Sequence, residues 1–291
     1  MPARPPFTTL CRSASRKTKA GRSDLHVHTR HSDGTYTAAQ VVDLSVRAGL
    51  AAMAITDHDT LAGVPRAVDA ARGAGLEIIA GVEATSEHEG RELHVLGYFI
   101  RLDHGPLLEA LARLRSHRLE RFREMIGRLR ACGVTLDDAR LQNDPEYEVL
   151  GRRHLAELLV EAGKAATVRE AFQRYLSDHG RVAVPKLRLP AREAIALIRS
   201  AGGVACWAHP WGQCSAAALR RLRDDGLGAV EAYYPGYRAA QIRQLNSWAA
   251  EFGLAVTGGS DCHGPEHPGR SLGACTIDAG QLARLREHAG H

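Results

Sequence analysis

Residues 24–59 read DLHVHTRHSDGTYTAAQVVDLSVRAGLAAMAITDHD, and the fold class can be inferred from this segment. An apolar run of strand length at its start and a second one at Ala51–Thr56 enclose a segment with helical character. That segment ends in Ala48-Gly49-Leu50, where glycine stands just before the next apolar run, as it does after many helices. The stretch therefore predicts a strand, a helix and a second strand, which is the basic unit of an α/β fold.

The same alternation recurs along most of the chain. Repeated strand–helix units predict parallel strands, and right-handed crossovers lead such a sheet to close on itself. We therefore predict an α/β fold with a distorted (β/α)7 barrel. The seven predicted strands are Leu25–His28, Ala51–Thr56, Glu77–Gly81, His94–Ile100, Val204–His209, Gly228–Tyr233 and Leu254–Gly259.

The segment between the two halves of the barrel has a different character. Residues 106–189 lack strand patterns and carry 16 basic and 12 acidic side chains. Helical periodicity is present at Leu107–Cys132, Arg152–Ala162 and Val168–Ser177. We predict an inserted helical substrate-binding domain at 106–189, a barrel formed by 22–105 and 190–291, and a disordered basic tail at 1–21.

The composition is that of an ordinary soluble globular chain. The 291 residues are 44% hydrophobic and 24% charged, and there is no run of about 18 apolar residues to span a bilayer. The N-terminus lacks the apolar stretch of a secretory signal, so we expect a cytoplasmic protein. Six cysteines without paired spacing are expected to be reduced thiols.

The first predicted strand presents two imidazoles to one side. Alternate residues of a strand point to opposite faces, so His26 and His28 point one way while Leu25 and Val27 point the other. Two nitrogen ligands then converge on one metal ion. Taken alone, a His-x-His pair near a strand end is as often a surface feature as a metal site.

Further candidate ligands stand at the ends of the other predicted strands or in turns beside them. Barrel enzymes place their active sites at this rim, formed by the C-terminal ends of the strands. Each candidate taken singly is as readily explained by a structural role, but a full set at equivalent positions indicates a metal site. Asp57 and Asp59 flank one ligand and are expected either to orient an imidazole or to serve a turn. The complete set is His26, His28, Asp33, His58, Glu83, His94, His209, Asp261 and His263.

The residue types in this set indicate the metal. Imidazole with carboxylate, and without cysteine, favours Mn, Zn or Fe over Mg or Ca alone, and we predict Mn. Nine ligands exceed what a single ion uses, so we predict two or three divalent ions.

In their order along the chain, the quoted segments resemble the motif set of the polymerase-and-histidinol-phosphatase (PHP) superfamily. The resemblance covers about residues 22–105 and 190–275. Within the family, the chain is most similar to stand-alone enzymes with an inserted helical domain. These are the nucleoside 3′,5′-bisphosphate phosphatases and the 5′-to-3′ exoribonucleases that act on short RNA.

The resemblance implies a trinuclear site and assigns its ligands. A first ion would take His26, His28, Glu83 and Asp261. Glu83 would bridge to a second ion held by His94 and His209. A third ion would take Asp33, His58 and His263.

Adjacent cations explain the expected chemistry. A hydroxide bound between metal ions forms near neutral pH and attacks phosphorus in line, while the ions neutralise the phosphoryl oxygens. We therefore predict a phosphoric ester hydrolase. Its expected substrates are a nucleotide phosphomonoester such as a nucleoside 3′,5′-bisphosphate, or the terminal phosphodiester of short RNA, and no obligate protein partner or membrane is expected.

The inserted segment supplies candidate substrate contacts. Arg118 and Arg121 lie three residues apart on one helix face, and are expected either to grip a second phosphate or to form a solvated face. Gly151-Arg152-Arg153-His154 and Val184-Pro185-Lys186 resemble family segments near the substrate pocket, although family members often have proline where Arg153 stands. From these segments we predict Arg152 and Lys186 as further substrate residues.

Two alternatives remain open. A histidinol-phosphate phosphatase would need one phosphate pocket, whereas the basic insert favours a substrate with two phosphates or a short oligonucleotide. A catalytically silent scaffold module, stabilised by metal, is the alternative from another class. The complete ligand set argues against it.

Overall fold

The computed structural model describes residues 21–144, 146–178, 180–265 and 268–289. Residues 1–20 of the predicted tail lie outside the described residues. None of the helices in the described ranges is long and apolar enough to cross a membrane.

The strands form a nearly closed, barrel-like sheet, which confirms the predicted barrel. The strands are β1 (Ser23–Val27), β2 (Ala52–Ile55), β3 (Glu77–His88), β4 (Arg91–Tyr98), β5 (Leu189–Pro190), β6 (Val204–Trp207), β7 (Ala229–Tyr233) and β8 (Ala255–Gly258). Along the sheet the order is β1, β2, β3, β4, β6, β7, β8, with the short β5 paired to β3.

The sheet is not wholly parallel, and in this respect the prediction was wrong. Strand β4 runs antiparallel to both β3 and β6, whereas the other neighbours along the order are parallel. The reason is a two-residue hairpin, Glu89-Gly90, in which φ is +52° and +75°. Two consecutive left-handed residues match the type I′ turn that joins twisted antiparallel strands directly. A helical crossover between β3 and β4 is therefore not needed.

The barrel closes where the chain after β8 meets β1. The backbone N–H of Asp261 donates to the carbonyl of His26 at 2.8 Å, and the N–H of His28 donates to the carbonyl of Cys262 at 3.1 Å. One buried apolar cluster combines Leu25 with residues of the other strands and with Leu282 and Leu285 of the last helix. Closure thus brings Asp261 directly beside His26.

Helices cover the outside of the sheet. The first helix, α1 (Ala38–Arg47), begins with a capping box, in which Thr37 and Gln40 exchange side-chain-to-backbone hydrogen bonds. The helices are α1 (Ala38–Arg47), α2 (Gly63–Ala70), α3 (Gly105–Ala131), α4 (Ala139–Asn143), α5 (Arg152–Glu161), α6 (Val168–Arg174), α7 (Ala191–Ser200), α8 (Ala216–Asp224), α9 (Ala239–Phe252) and α10 (Ala279–His288).

Helices α3 to α6 lie in the predicted insert. The first turns of α3 pack on the barrel through Leu107, Leu111 and Leu114. Further along, Phe122 and Leu129 belong to a second apolar cluster made only of residues from 106–189. A continuous helix therefore links the two clusters, and the division into domains stays a prediction.

Candidate metal centre

Glu83 lies at the centre of the predicted ligands. Its side chain is 1% exposed, and its two carboxylate oxygens face different groups of imidazoles. Because β3 continues past Glu83 to His88, the carboxylate projects from mid-strand into the rim. The distances are 3.3, 3.2 and 3.2 Å from Oε2 to His26 Nε2, His28 Nε2 and His58 Nδ1, and 2.8 and 3.1 Å from Oε1 to His94 Nδ1 and His209 Nε2.

Asp261 is the second carboxylate of the cluster. Its Oδ1 lies 3.4 Å from His26 Nε2 and 3.2 Å from His28 Nε2. Its Oδ2 accepts hydrogen bonds from the Tyr234 hydroxyl and from Arg270 Nη1, both at 2.6 Å. The two bonds fix the carboxylate so that Oδ1 faces the imidazoles.

Asp33 is the third carboxylate of the cluster. Its Oδ1 lies 3.2 Å from His263 Nε2, and its Oδ2 lies 3.8 Å from His58 Nε2. His28 Nδ1 lies 3.8 Å from Asp33 Oδ1. The turn predicted to carry Asp33 therefore folds back over the end of β1.

Three groups of side chains converge closely enough to hold a cation. His28 and His58 each belong to two groups, so the groups overlap more than the resemblance implied. His209 approaches Glu83 but is in none of them. The groups are His28, Asp33, His58 and His263; His26, His28 and Asp261; and His58, Glu83 and His94.

The donor atoms themselves test whether metal ions fit. Five predicted ligands have a buried nitrogen or oxygen atom that lacks a hydrogen-bond partner within the described part of the chain. Buried polar atoms normally have partners, and facing lone pairs repel unless a cation lies between them. The residues therefore fit a cluster of divalent ions. The atoms are His26 Nε2, His28 Nε2, Asp33 Oδ1, His58 Nδ1 and His94 Nε2.

The electrostatic environment of these residues also favours bound metal ions. Burial alone would raise the pKa of the Glu83 carboxyl, but the imidazoles of His58, His94 and His26 hold that pKa well below its usual range. Burial opposes protonation of His28, yet the adjacent carboxylates of Asp261 and Glu83 raise its pKa to about 10. The carboxylates thus stay ionised and favour positive charge at this position, which metal ions supply in place of protons.

Asp57 and Asp59 accept hydrogen bonds from backbone N–H and hydroxyl groups of the barrel rim. Asp57 accepts from the backbone N–H and hydroxyl of Thr29 and from the Ser32 hydroxyl, each at 2.7 Å, and so holds the turn after β1. Ser32 Oγ in turn lies 3.5 Å from His28 Nδ1. Asp59 instead accepts from Thr85. Both carboxylates therefore secure the rim backbone.

Two carboxylates that the sequence interpretation missed contact the ligands. Glu231 Oε1 lies 3.0 Å from His26 Nδ1, and Glu92 Oε1 lies 3.4 Å from His94 Nε2. The available signal for Glu231 was a charged residue in the middle of the apolar strand AVEAY. Glu92 gave no comparable signal, because it follows a turn.

Three of the predicted substrate residues line one cavity of about 320 Å³. Arg121, Arg152 and Lys186 are joined there by Arg188, with Glu92 and Asp178 as the acidic side chains. Lys186 Nζ and Arg188 Nε lie 2.6 and 2.8 Å from the Glu92 carboxylate, which adjoins His94. The cavity is therefore basic and adjacent to the metal centre.

The crowding of positive charge in this cavity affects the pKa of Arg121. Burial, and then the guanidinium groups of Arg152 and Arg118, lower its pKa to about 10. Burial and then Arg118 likewise lower the pKa of Lys186. A bound anion would relieve this repulsion. Arg118, by contrast, is not among the residues lining the cavity and contacts Asp59 instead.

Comparisons with known proteins agree with this geometry. The family model described as PHP domain matches residues 24–177. A 5′-3′ exoribonuclease of Haemophilus influenzae is 32% identical over 252 residues, covering 83% of this chain and 90% of that protein. A 3′,5′-nucleoside bisphosphate phosphatase of Chromobacterium violaceum is 30% identical over 256 residues, covering 86% and 90%.

A solved structure supports the same relationship. A Bifidobacterium adolescentis protein, described as a metal-dependent phosphoesterase, superposes with a TM-score of 0.85 and 32% sequence identity over 92% of this chain and 96% of that one. The chain belongs to the PHP family of metal-dependent phosphoesterases. It is a phosphoric ester hydrolase, as predicted, and the silent-scaffold alternative is not supported.

Proposed function

We propose that the protein hydrolyses a nucleotide phosphoester, with a nucleoside 3′,5′-bisphosphate or the 5′ end of a short RNA as the substrate. The observation that carries the proposal is the basic cavity beside the metal centre. Such a pair of sites suits a substrate that presents one phosphoryl group for hydrolysis and a second phosphate for binding. The similarity to proteins named for these two activities supports the same substrate class.

In this proposal the nine predicted ligands hold two or three divalent ions, with Mn as the expected metal. When bound, such ions activate water as a nucleophile and neutralise charge on the phosphoryl oxygens. Side chains of the protein keep the carboxylate ligands ionised and oriented. Glu83 and Asp261 stay ionised at neutral pH, and Tyr234 with Arg270 keeps the Asp261 carboxylate in place.

The basic cavity provides the positioning. Arg152 and Lys186 present charged donors that suit a phosphate, and a charge-assisted hydrogen bond contributes about 1.5–3 kcal/mol to binding. Holding the second phosphate fixes the substrate relative to the ions, and this lowers the entropic part of the barrier. Histidinol phosphate carries no second phosphate and leaves this cavity without a partner, so we place that alternative second.

The test is phosphate release by metal-stripped protein re-supplied with Mn. Adenosine 3′,5′-bisphosphate, each adenosine monophosphate, histidinol phosphate and a 5′-phosphorylated short RNA are compared at equal concentrations. We expect the bisphosphate or the RNA to be preferred, and His26→Ala to abolish release from every substrate. A preference for histidinol phosphate, or equal rates on mono- and bisphosphates, would contradict the substrate assignment while leaving the hydrolase class intact.

A further inference from the structure

Glu231 is a carboxylate enclosed inside the barrel beside the metal centre. It lies in β7 between Val230 and Ala232, which point outward to apolar neighbours, and its own side chain has no solvent exposure. A charged group this deep is costly unless it is hydrogen-bonded. Its contacts therefore indicate what it does.

The first contact is to a predicted ligand on β1. Glu231 Oε1 lies 3.0 Å from His26 Nδ1, and both side chains are completely buried. A neutral imidazole carries one N–H, and a carboxylate beside Nδ1 places the proton there. Nε2 is then left with its lone pair, 3.3 Å from Glu83 Oε2 and 3.4 Å from Asp261 Oδ1, where a cation is required.

The second contact is to the backbone of another predicted ligand. Glu231 Oε2 accepts from the N–H of His209 at 2.7 Å. His209 has φ of +32°, a left-handed conformation that a residue with a side chain adopts rarely and at a cost of about 1–3 kcal/mol. The bond to Glu231 offsets that cost and holds the His209 ring 3.1 Å from Glu83 Oε1.

We propose that Glu231 is a positioning residue of the metal centre. It sets the tautomer of His26 and fixes the backbone of His209, so that ligands from two separate strands face the same ions. This inference rests on the proposed metal-dependent function, and it adds to it a residue that binds no ion and no substrate. Carboxylates behind ligating imidazoles commonly change metal affinity about 10–100-fold.

Glu231→Gln tests both contacts at once. An amide has one acceptor oxygen, so it satisfies either His26 Nδ1–H or the His209 N–H, and its NH2 group opposes the other. We expect Mn²⁺ affinity, titrated by the EPR signal of free Mn²⁺, to fall about 10–100-fold. We also expect added Mn²⁺ to restore occupancy. Unchanged affinity and stoichiometry would overturn the proposal.

A matched control comes from the neighbouring strand. Thr257 pairs with Glu231 in the β7–β8 register, is equally buried, and contacts Cys206 Sγ at 3.2 Å and not an imidazole. Thr257→Val should change thermal stability without changing Mn²⁺ binding. An equal loss of Mn²⁺ affinity in this variant would assign the effect to general disturbance of the barrel interior and refute a specific role for Glu231.

A measurement on the unaltered chain covers the case in which Glu231→Gln does not fold. In the Zn-loaded protein, ¹⁵N–¹H spectra of the histidine side chains should show His26 protonated on Nδ1, with His26→Gln used for assignment. Protonation on Nε2 would refute the proposal. Neither readout uses a substrate, so failure of the nucleotide assignment would leave this result interpretable.

Discussion

Arg118 of the long helix α3 binds Asp59 at the barrel rim, with 2.6 Å between Arg118 Nε and Asp59 Oδ2. The same guanidinium donates through Nη2 to Thr85 Oγ1 at 2.7 Å. Asp59 is completely buried, and although burial raises the pKa of its carboxyl, Arg118 lowers it below the ordinary value. The pair therefore fastens the predicted insert to the strand that carries Glu83.

This relationship predicts a stability effect for Arg118→Ala. Removal of the guanidinium leaves Asp59 as an uncompensated buried charge, which costs about 3–5 kcal/mol. Adding Asp59→Asn should recover part of that loss, because the charge itself is removed. Urea denaturation of the metal-free single and double variants measures the coupling. If the losses of unfolding free energy in Arg118→Ala and Asp59→Asn simply add in the double variant, the ion pair does not stabilise the fold.

The substrate contact is better tested on Arg152. Its partner across the cavity, Asp178, is 71% exposed, so Arg152→Gln leaves no buried charge unpaired. Loss of one charge-assisted contact predicts a fall in kcat/KM for adenosine 3′,5′-bisphosphate of about 10–100-fold, with little change for a phosphoester lacking a second phosphate.

Arg174→Gln is the matched control for that measurement. Arg174 lies on α6, pairs with Glu170 and does not line the cavity. Its substitution should leave both substrates unaffected. A similar loss for the two substrates in Arg152→Gln would show that the residue does not recognise the second phosphate.

The overlap of the ligand groups predicts a graded response of thermal stability to metal. A ligand that binds only the folded chain raises the melting temperature by an amount that grows with the logarithm of its affinity. His28 belongs to two groups and is fully buried, whereas His209 belongs to none and is 30% exposed. The increase in melting temperature on adding Mn should therefore nearly vanish in His28→Ala and persist in reduced form in His209→Ala. The reverse order would refute the ligand groups.

Local pattern explains what could be predicted from sequence. The alternation in Asp24–His28 places both imidazoles on one face by chain geometry alone, and the strand ends carry the other candidates to one rim. The direction of β4 could not be predicted in this way. Glu89-Gly90 lacks the Asn-Gly or Asp-Gly signal of a type I′ hairpin, although it adopts that turn.

The features of the site that could not be predicted from sequence depend on contacts between residues far apart in the chain. Arg118 and Arg121 share a helix face, yet one side chain turns to Asp59 and the other to the carbonyl of Val184 at 2.8 Å. Which partner each side chain finds depends on segments far away in the sequence. Glu231 is similar, since its partner His26 lies 205 positions away. Spacing along the chain contains no information about such pairs.

His154 gives a prediction about pH. It packs in the insert at 2% exposure, its Nδ1 accepts from the Gly151 N–H at 3.2 Å, and burial lowers its pKa to about 4. Below pH 6.5 the unfolded chain takes up a proton on this imidazole, whereas the folded chain does so only near pH 4. The free energy of unfolding should therefore fall as the pH decreases through this interval.

The variant that isolates this contribution is His154→Gln. Glutamine at this position of a helix start still accepts from the backbone N–H of Gly151 but does not titrate. Between pH 7 and pH 5, in chelator, the native chain should lose about 2 kcal/mol more unfolding free energy than the variant. Titrating groups that do not interact with His154 are common to both chains and cancel in the comparison, whereas Asp33, whose charge raises the pKa of His154, contributes to the measured difference. Equal losses would mean that His154 is protonated in the folded state or remains accessible to water.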